Sequence, residues 1–175
     1  MKPILFSTNM VRKILKGEKT QTRRVIGVKK PYKVGEILWV RETWQNICAC
    51  PEQYRCACPE QYAYKADGEF VPYSWKPSIH MPKAAARIFL EVLSVDIEQL
   101  QDITQEDCEA EGIPSTNGRK MGEPFWNAFC ISNFSTLWDS INAKRGYSWN
   151  SNPRVYKYTF RVVDKPQESE EKSRR

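Results

Sequence analysis

A short polar segment near the start of the chain holds the residues best suited to chemistry. Residues 18–24 follow Gly17 and carry two hydroxyls, an amide and three cations: Glu18, Lys19, Thr20, Gln21, Thr22, Arg23 and Arg24. In an extended chain, Thr20, Thr22 and Arg24 share one face, because side chains alternate between the faces of a strand. Hydroxyl and guanidinium groups on one face suit an anionic or hydrogen-bonding ligand. A solvated edge strand whose charges prevent aggregation is the alternative on composition alone.

The elements that must position this segment are predicted from periodicity and turn residues. Strands are expected at residues 3–6, 37–42, 86–95 and 155–163, with a hairpin over 62–71 about Asp67–Gly68. Helices are expected between Ser7 and Gly17, over 105–111 behind a Thr104 cap, and in a longer region around 134–141. The strands do not alternate with crossover helices, which argues against a doubly wound sheet. The predicted class is α+β, a small mixed β-barrel flanked by two or three helices.

Two sets of side chains are predicted to be buried. Apolar residues at i, i+3, i+4 and i+7 predict one buried helix face: Phe134, Leu137, Trp138 and Ile141. Cys108 and Cys130 have the character of small buried hydrophobes.

Composition limits the class of protein. The 175 residues have the size of one ordinary domain, which is expected to span residues 1–164. The charged tail over residues 165–175 lacks apolar residues and is expected to be disordered. No apolar run has the length of an export signal or a membrane span, so a cytoplasmic protein with reduced thiols and no membrane contact is expected. The net charge of +6 permits nucleic-acid binding without requiring it.

A tandem repeat of eight residues lies in a Cys-rich insertion over residues 46–75. It contributes two C-x-C pairs: Cys48, Cys50, Cys56 and Cys58. Four thiolates would close a structural zinc site with no open position for chemistry. The alternative is a recent duplication in a tolerant loop, in which the cysteines are incidental. No cofactor is required by the rest of the sequence.

Several motifs together resemble the ASCH domain of the PUA-like superfamily. The first is Gly17-x-Lys19-Thr20-x-Thr22-x-Arg24, followed by the strand Gly35 to Val40. Further motifs resemble those of a subgroup common in phages and prophages. These motifs lie at residues 41–44, 75–82, 109–113, 137–142 and 152–153. The resemblance covers about residues 3–163 and implies a PUA-type barrel with a cleft between barrel and helices.

The resemblance also implies a ligand and a set of site residues. The superfamily is associated with RNA and modified nucleosides, and some small ASCH proteins hydrolyse the acetyl amide of N4-acetylcytidine with a lysine, a threonine and a glutamate. On this sequence those roles fall on Lys19, Thr22 and Glu111. Lysine can take the threonine proton if burial or a neighbouring cation lowers its pKa. The expected ligand-binding residues are Thr20, Arg23, Arg24, Arg41, Trp44, Trp75, Ser78 and His80. For the tryptophans the alternative is core packing, and for His80 the alternative is a structural role.

Three functions follow as alternatives. The first is a domain that binds RNA or a nucleoside or nucleotide in the cleft. The second is an amidohydrolase acting on acylated cytidine or a similar amide through Lys19, Thr22 and Glu111. The third is a phage accessory protein that acts through a protein partner. The sequence gives no positive signal for this function and does not identify the partner.

A metal assay on the purified protein distinguishes the two interpretations of the C-x-C pairs. Zinc bound to the wild type and lost in a variant with all four cysteines changed to serine would support the thiolate site. Purified wild type that contains no zinc would contradict it.

Overall fold

A computed structural model describes residues 1–28, 30–47, 61–68, 74–113 and 123–166, with side chains from residue 128 onward in the last range. The chain divides into two compact units by its internal contacts. Unit 1 comprises residues 1–12, 37–90 and 162–175, and unit 2 comprises residues 13–36 and 91–161. The single domain over 1–164 stays a prediction, and residues 167–175 of the predicted tail lie outside the described residues.

The α+β class is confirmed. The described strands are β1 (Lys2–Leu5), β2 (Gln21–Val25), β3 (Ile37–Arg41), β4 (Trp44–Asn46), β5 (Tyr62–Tyr64), β6 (Phe89–Gln99) and β7 (Arg154–Val163). The described α-helices are α1 (Thr8–Leu15), α2 (Gln105–Ala110) and α3 (Glu123–Asn142). None of these helices combines the length and the apolar character that a bilayer crossing requires.

The main sheet is mixed, as expected. Its strand order is β1-β3-β6-β7-β2, and β4 and β5 form a separate pair. β1 runs parallel to β3, whereas β2 runs antiparallel to β7. The order begins at β1 and ends at β2, so the pairings of the described strands do not close into a ring.

Unit 1 has its own apolar core around Trp39, Trp44, Met81 and Phe89. The first strand of the predicted hairpin over 62–71 is β5, which pairs antiparallel with β4, and the hairpin itself stays a prediction. The chain after β5 forms a 3-10 turn that ends at Gly68, whose φ of 79° is the left-handed conformation that glycine tolerates. The second half of the predicted hairpin, residues 69–71, lies outside the described residues.

Unit 2 has a second core beneath α3. Phe134 and Trp138 are buried as predicted, and Leu137 packs against them. Ile141 is 43% exposed, because the buried positions of α3 follow an i, i+4 spacing through Cys130, Phe134, Trp138 and Asn142, and Ile141 lies beside them. Cys108 and Cys130 are fully buried, which confirms that prediction. Burial raises the pKa of the Cys108 thiol to about 12, so this cysteine is an inert core residue.

Candidate functional site

Buried polar side chains concentrate around β2 and the end of α2. Of the eight buried polar or charged residues among those described, five lie here: Lys19, Thr22, Arg23, Asp107 and Glu111. Burying charge is costly unless every group is paired and hydrogen-bonded. Such clusters are typical of functional sites, where burial and neighbouring charges shift pKa values.

Backbone hydrogen bonds fix the segment that precedes β2. Lys19 N donates to Lys13 O in the last turn of α1 at 3.2 Å, and Thr20 N donates to Ala110 O at the end of α2 at 2.8 Å. Thr20 O accepts from Phe160 N of β7 at 2.9 Å. Three elements therefore hold Lys19 and Thr20 in place without any help from their side chains.

The sequence of α2 places Glu111 at the helix end. Thr104 caps the helix by accepting a hydrogen bond from Asp107 N at 3.2 Å, and the Asp107 carboxylate accepts from Thr104 N at 3.4 Å. This capping box fixes where the helix starts. The helix ends at Ala110 with Glu111 as its C-cap, because Gly112 adopts a φ of 86°, the left-handed conformation of a C-terminal glycine.

Lys19 and Glu111 form the central contact of the site. Lys19 Nζ donates to Glu111 Oε2 at 2.5 Å, to Glu111 O at 2.9 Å and to Gln21 O at 2.8 Å. All three ammonium protons are thereby used. Burial lowers the pKa of Lys19, and the Arg24 and Arg23 charges lower it further, whereas Glu111 opposes the shift. The lysine is thus held close to a carboxylate in an environment that disfavours its charge.

Arg23 lies beside this contact and touches three carboxylates. Its Nε donates to Glu98 Oε1 at 2.7 Å, and its Nη1 donates to Glu111 Oε1 at 3.3 Å. Its Nη2 lies 2.8 Å from Asp107 Oδ2, an ion pair without hydrogen-bond alignment. Glu111 therefore directs one oxygen to Lys19 and the other to Arg23. The guanidinium also lies 5.9 Å from the centroid of the Phe134 ring.

Thr22 and Arg24 share the other face of β2. The β2–β7 register pairs Thr22 with Tyr158 and Arg24 with Tyr156. Thr22 is buried, whereas Arg24 is half-buried. Burial lowers the pKa of Arg24, and Tyr32, Glu111 and Tyr158 oppose that shift.

Three tyrosines lie around Arg24, and the sequence analysis did not assign them to the site. Tyr32 meets Tyr158 edge-on, with ring centroids 5.3 Å apart, and Tyr32 N donates to the Tyr158 hydroxyl at 3.3 Å. The Tyr156 and Tyr158 rings are 5.9 Å apart. Burial raises the pKa of both Tyr32 and Tyr158, so these phenols stay neutral. The alternation of tyrosines along the last predicted strand was the available signal.

The cluster carries one more positive than negative charge when every group is ionised. Lys157 Nζ joins it at 3.2 Å from Glu98 Oε2. The cations are Lys19, Arg23, Arg24 and Lys157, and the carboxylates are Glu98, Asp107 and Glu111. The site suits a ligand that supplies hydrogen-bond acceptors or negative charge.

The remaining predicted ligand-binding residues belong to unit 1. Arg41 donates to Ile79 O at 3.1 Å, and its guanidinium lies 4.7 Å from the centroid of the Trp39 ring. Trp44 is buried in the core, where Lys76 Nζ lies 5.2 Å from its ring centroid. Trp75 and Ser78 are half-buried, and His80 is exposed at the end of a 3-10 turn. Their roles stay predictions.

Unit 1 also contains a charged cluster that sequence reasoning missed. Arg87 donates to Glu42 Oε1 at 2.9 Å and to Asp67 Oδ2 at 2.8 Å, and it lies 3.9 Å from the Tyr64 ring centroid. Burial raises the pKa of Glu42, and Arg87 opposes this. Glu42 and Arg87 are 45 residues apart, so no local pattern connects them.

No group of three or more potential metal ligands occurs within the described ranges. Cys48, Cys50, Cys56 and Cys58 lie outside those ranges. The zinc site stays a prediction.

Solved structures with a similar fold include a protein from Enterococcus faecalis V583 described under the family name DUF984. It matches with a TM-score of 0.51 and 11% identity, over 93% of this chain and 72% of that chain. An ASCH domain from Lactobacillus crispatus JV V101 matches with a TM-score of 0.47 and 16% identity. The match covers 94% of this chain and 80% of that chain. No protein-family model and no curated protein match the sequence.

The first similarity shows a shared fold and, at 11% identity, nothing beyond the fold. The second is weaker and carries no argument by itself.

Two glycines allow a matched test of the packing at Gly112. A Cβ at Gly112 would lie 2.8 Å from Lys13 Cδ and 3.3 Å from Lys19 Cβ, whereas a Cβ at Gly146 would meet nothing within 4 Å. Both residues have nearly equal φ, 86° and 85°. Lys13 cannot move away freely, because its Nζ donates to Gly112 O.

We expect Gly146→Ala to lose about 1 kcal/mol of unfolding free energy from its left-handed backbone. Gly112→Ala should lose about 1 kcal/mol more, because the added methyl group must displace both lysines. Urea denaturation of the two variants measures the difference. Equal losses of unfolding free energy in the two variants would show that Gly112 is required only for its left-handed backbone and not for the space it leaves to the lysines.

Proposed function

We propose that unit 2 binds a nucleoside, or a nucleotide of RNA, at the site built on β2 and the end of α2. The observation that carries the proposal is the buried Lys19–Glu111 contact with Arg23 beside it. Buried ion pairs contribute little to stability compared with apolar side chains of similar size. A cluster of this kind is better explained by a ligand that requires its charges and hydrogen-bonding groups.

The groups available to a ligand are those that solvent reaches. Thr20 is exposed, and Gln21 and Arg24 are half-buried. Thr20 and Arg24 offer a hydroxyl and a guanidinium on one face of β2, and Gln21 offers an amide on the other face. The buried Lys19–Glu111 pair lies beneath them and fixes the local charge.

Aromatic rings next to a cation favour a nucleoside over a simple anion. Tyr32 and Tyr156 are half-buried near Arg24, and an exposed tyrosine face can stack a base. The net charge of +6 adds attraction for a phosphate backbone. The ASCH resemblance of the sequence points to the same ligand class.

Two arginine variants test this proposal. Arg24→Gln should weaken binding of a nucleoside or a short RNA by about tenfold or more, because a charged hydrogen-bond donor is lost. Arg161→Gln is the control, since it removes the same charge from an exposed side chain that pairs only with Glu91 among the contacts described. Isothermal titration calorimetry with the four ribonucleosides and an RNA oligonucleotide measures both variants.

A salt titration distinguishes the two forms of the ligand. Binding of RNA should weaken steeply with salt, because counterions are released, whereas binding of a neutral nucleoside should change little. The proposal is wrong if the wild type binds none of these ligands. It is equally wrong if Arg161→Gln loses as much affinity as Arg24→Gln.

A second candidate function is hydrolysis of an acylated nucleoside. The observation that favours it is the 2.5 Å contact between Lys19 Nζ and Glu111 Oε2 at a lysine whose pKa burial lowers. The neutral lysine would take the Thr22 hydroxyl proton as the oxygen attacks the amide carbonyl. The amine leaves with a proton, and water then hydrolyses the threonine ester.

Turnover of N4-acetylcytidine tests this candidate. Thr22→Val should reduce turnover by about 1,000-fold or more, because it removes the nucleophile, while Thr22→Ser keeps a hydroxyl and measurable turnover. The wild-type rate should rise with pH through the lowered pKa of Lys19, because the neutral form accumulates above that pKa. A folded Thr22→Val variant with the wild-type rate would exclude the mechanism.

A further inference from the structure

Gln21 is the first residue of β2 and is attached to the buried contact by its backbone. Its carbonyl oxygen accepts a hydrogen bond from Lys19 Nζ at 2.8 Å. Its side chain shares a strand face with Arg23, and its register partner on β7 is Thr159. The residue is half-buried, so part of the side chain is within reach of a ligand.

The side-chain amide of Gln21 has an unusual property. Its Oε1 is buried and has no hydrogen-bond partner. Native proteins rarely leave a buried acceptor unsatisfied, because the group loses its water without compensation. Three other buried atoms among the described residues share this property, and they are Arg23 Nη2, Arg41 Nε and Trp44 Nε1.

Those three atoms are donors, so Gln21 contributes the one acceptor in this set. Arg23 Nη2 already lies 2.8 Å from the Asp107 carboxylate, and Arg41 and Trp44 belong to unit 1. Gln21 Oε1 therefore marks a position in unit 2 where a hydrogen-bond donor is missing.

We infer that Gln21 determines specificity by accepting a hydrogen bond from an N–H group on the edge of the bound base. This inference rests on the proposed nucleoside-binding function. The last torsion of a glutamine side chain is soft, so the amide can turn its oxygen toward a ligand. Its NH₂ group then donates to a neighbouring ring acceptor, as in the bidentate pairing of glutamine with a base. The ligand class is a nucleoside with an N–H donor beside an acceptor.

Two matched ligand pairs isolate that N–H group. Cytidine differs from N4,N4-dimethylcytidine, and uridine from N3-methyluridine, by replacement of the N–H hydrogens with methyl groups. The wild type should bind the unmethylated member of at least one pair about tenfold or more tightly. Gln21→Met should reduce that ratio to about one, because the variant has no acceptor, whereas Gln21→Glu should retain it.

Thermal unfolding without ligand supplies the second measurement. Gln21→Met should keep or raise the melting temperature, because it removes an unsatisfied buried oxygen and retains the size of the side chain. A merely structural glutamine would give the opposite result, a lower melting temperature with an unchanged ratio between paired ligands.

The outcomes separate this inference from the function on which it rests. A wild type that binds none of these four pyrimidine nucleosides overturns the role of Gln21. If it also binds neither purine ribonucleoside and no RNA oligonucleotide, the function on which this role rests is overturned as well. A wild type that binds the pyrimidine nucleosides without preference for an N–H group overturns only the role of Gln21. The same holds if Gln21→Met keeps the wild-type preference.

Discussion

The contact between Lys19 and Glu111 is the interaction around which the site in unit 2 is arranged. It joins the segment before β2 to the end of α2, and those two parts of the chain are 92 residues apart. The backbone around the contact leaves room for it and holds it in place: Gly112 has no side chain where Lys13 and Lys19 pack, and the Thr20 backbone bonds to both α2 and β7. A local change at any of these residues therefore alters the environment of one buried charge pair.

The electrostatics of the cluster explain why it is better suited to recognition than to stability. Arg23 forms ion pairs with the carboxylates of Glu98, Asp107 and Glu111, so the charges hold one another in fixed positions. Such preorganised groups need little rearrangement when a ligand arrives. Solvent reaches Thr20, Gln21 and Arg24, and in part Lys157 and Glu98; the first three would form the contacts with a base or a ribose.

Local patterns in the sequence predict most of the elements but few of the pairings. The Thr104 cap and the Gly112 stop define α2 because both act within a few residues of the helix. Lys19 and Glu111 were assigned through the family resemblance, whereas Glu98 and Asp107 were missed, because their contacts with Arg23 depend on how distant strands and helices meet. Ile141 was expected in the core on its i+7 spacing, which cannot indicate which edge of the apolar helix face solvent reaches.

The most direct test of this account replaces the buried pair by apolar residues in a Lys19→Met, Glu111→Leu double variant. The double variant is expected to fold with only a small change in the free energy of unfolding, because the apolar replacement of a buried ion pair, often neutral or stabilising, offsets the hydrogen bonds that Gln21 O, Glu111 O and Arg23 lose. The account also predicts that nucleoside binding, measured by calorimetry on the same sample, is lost. A folded double variant that binds its ligand with wild-type affinity would contradict the claim that this contact serves function.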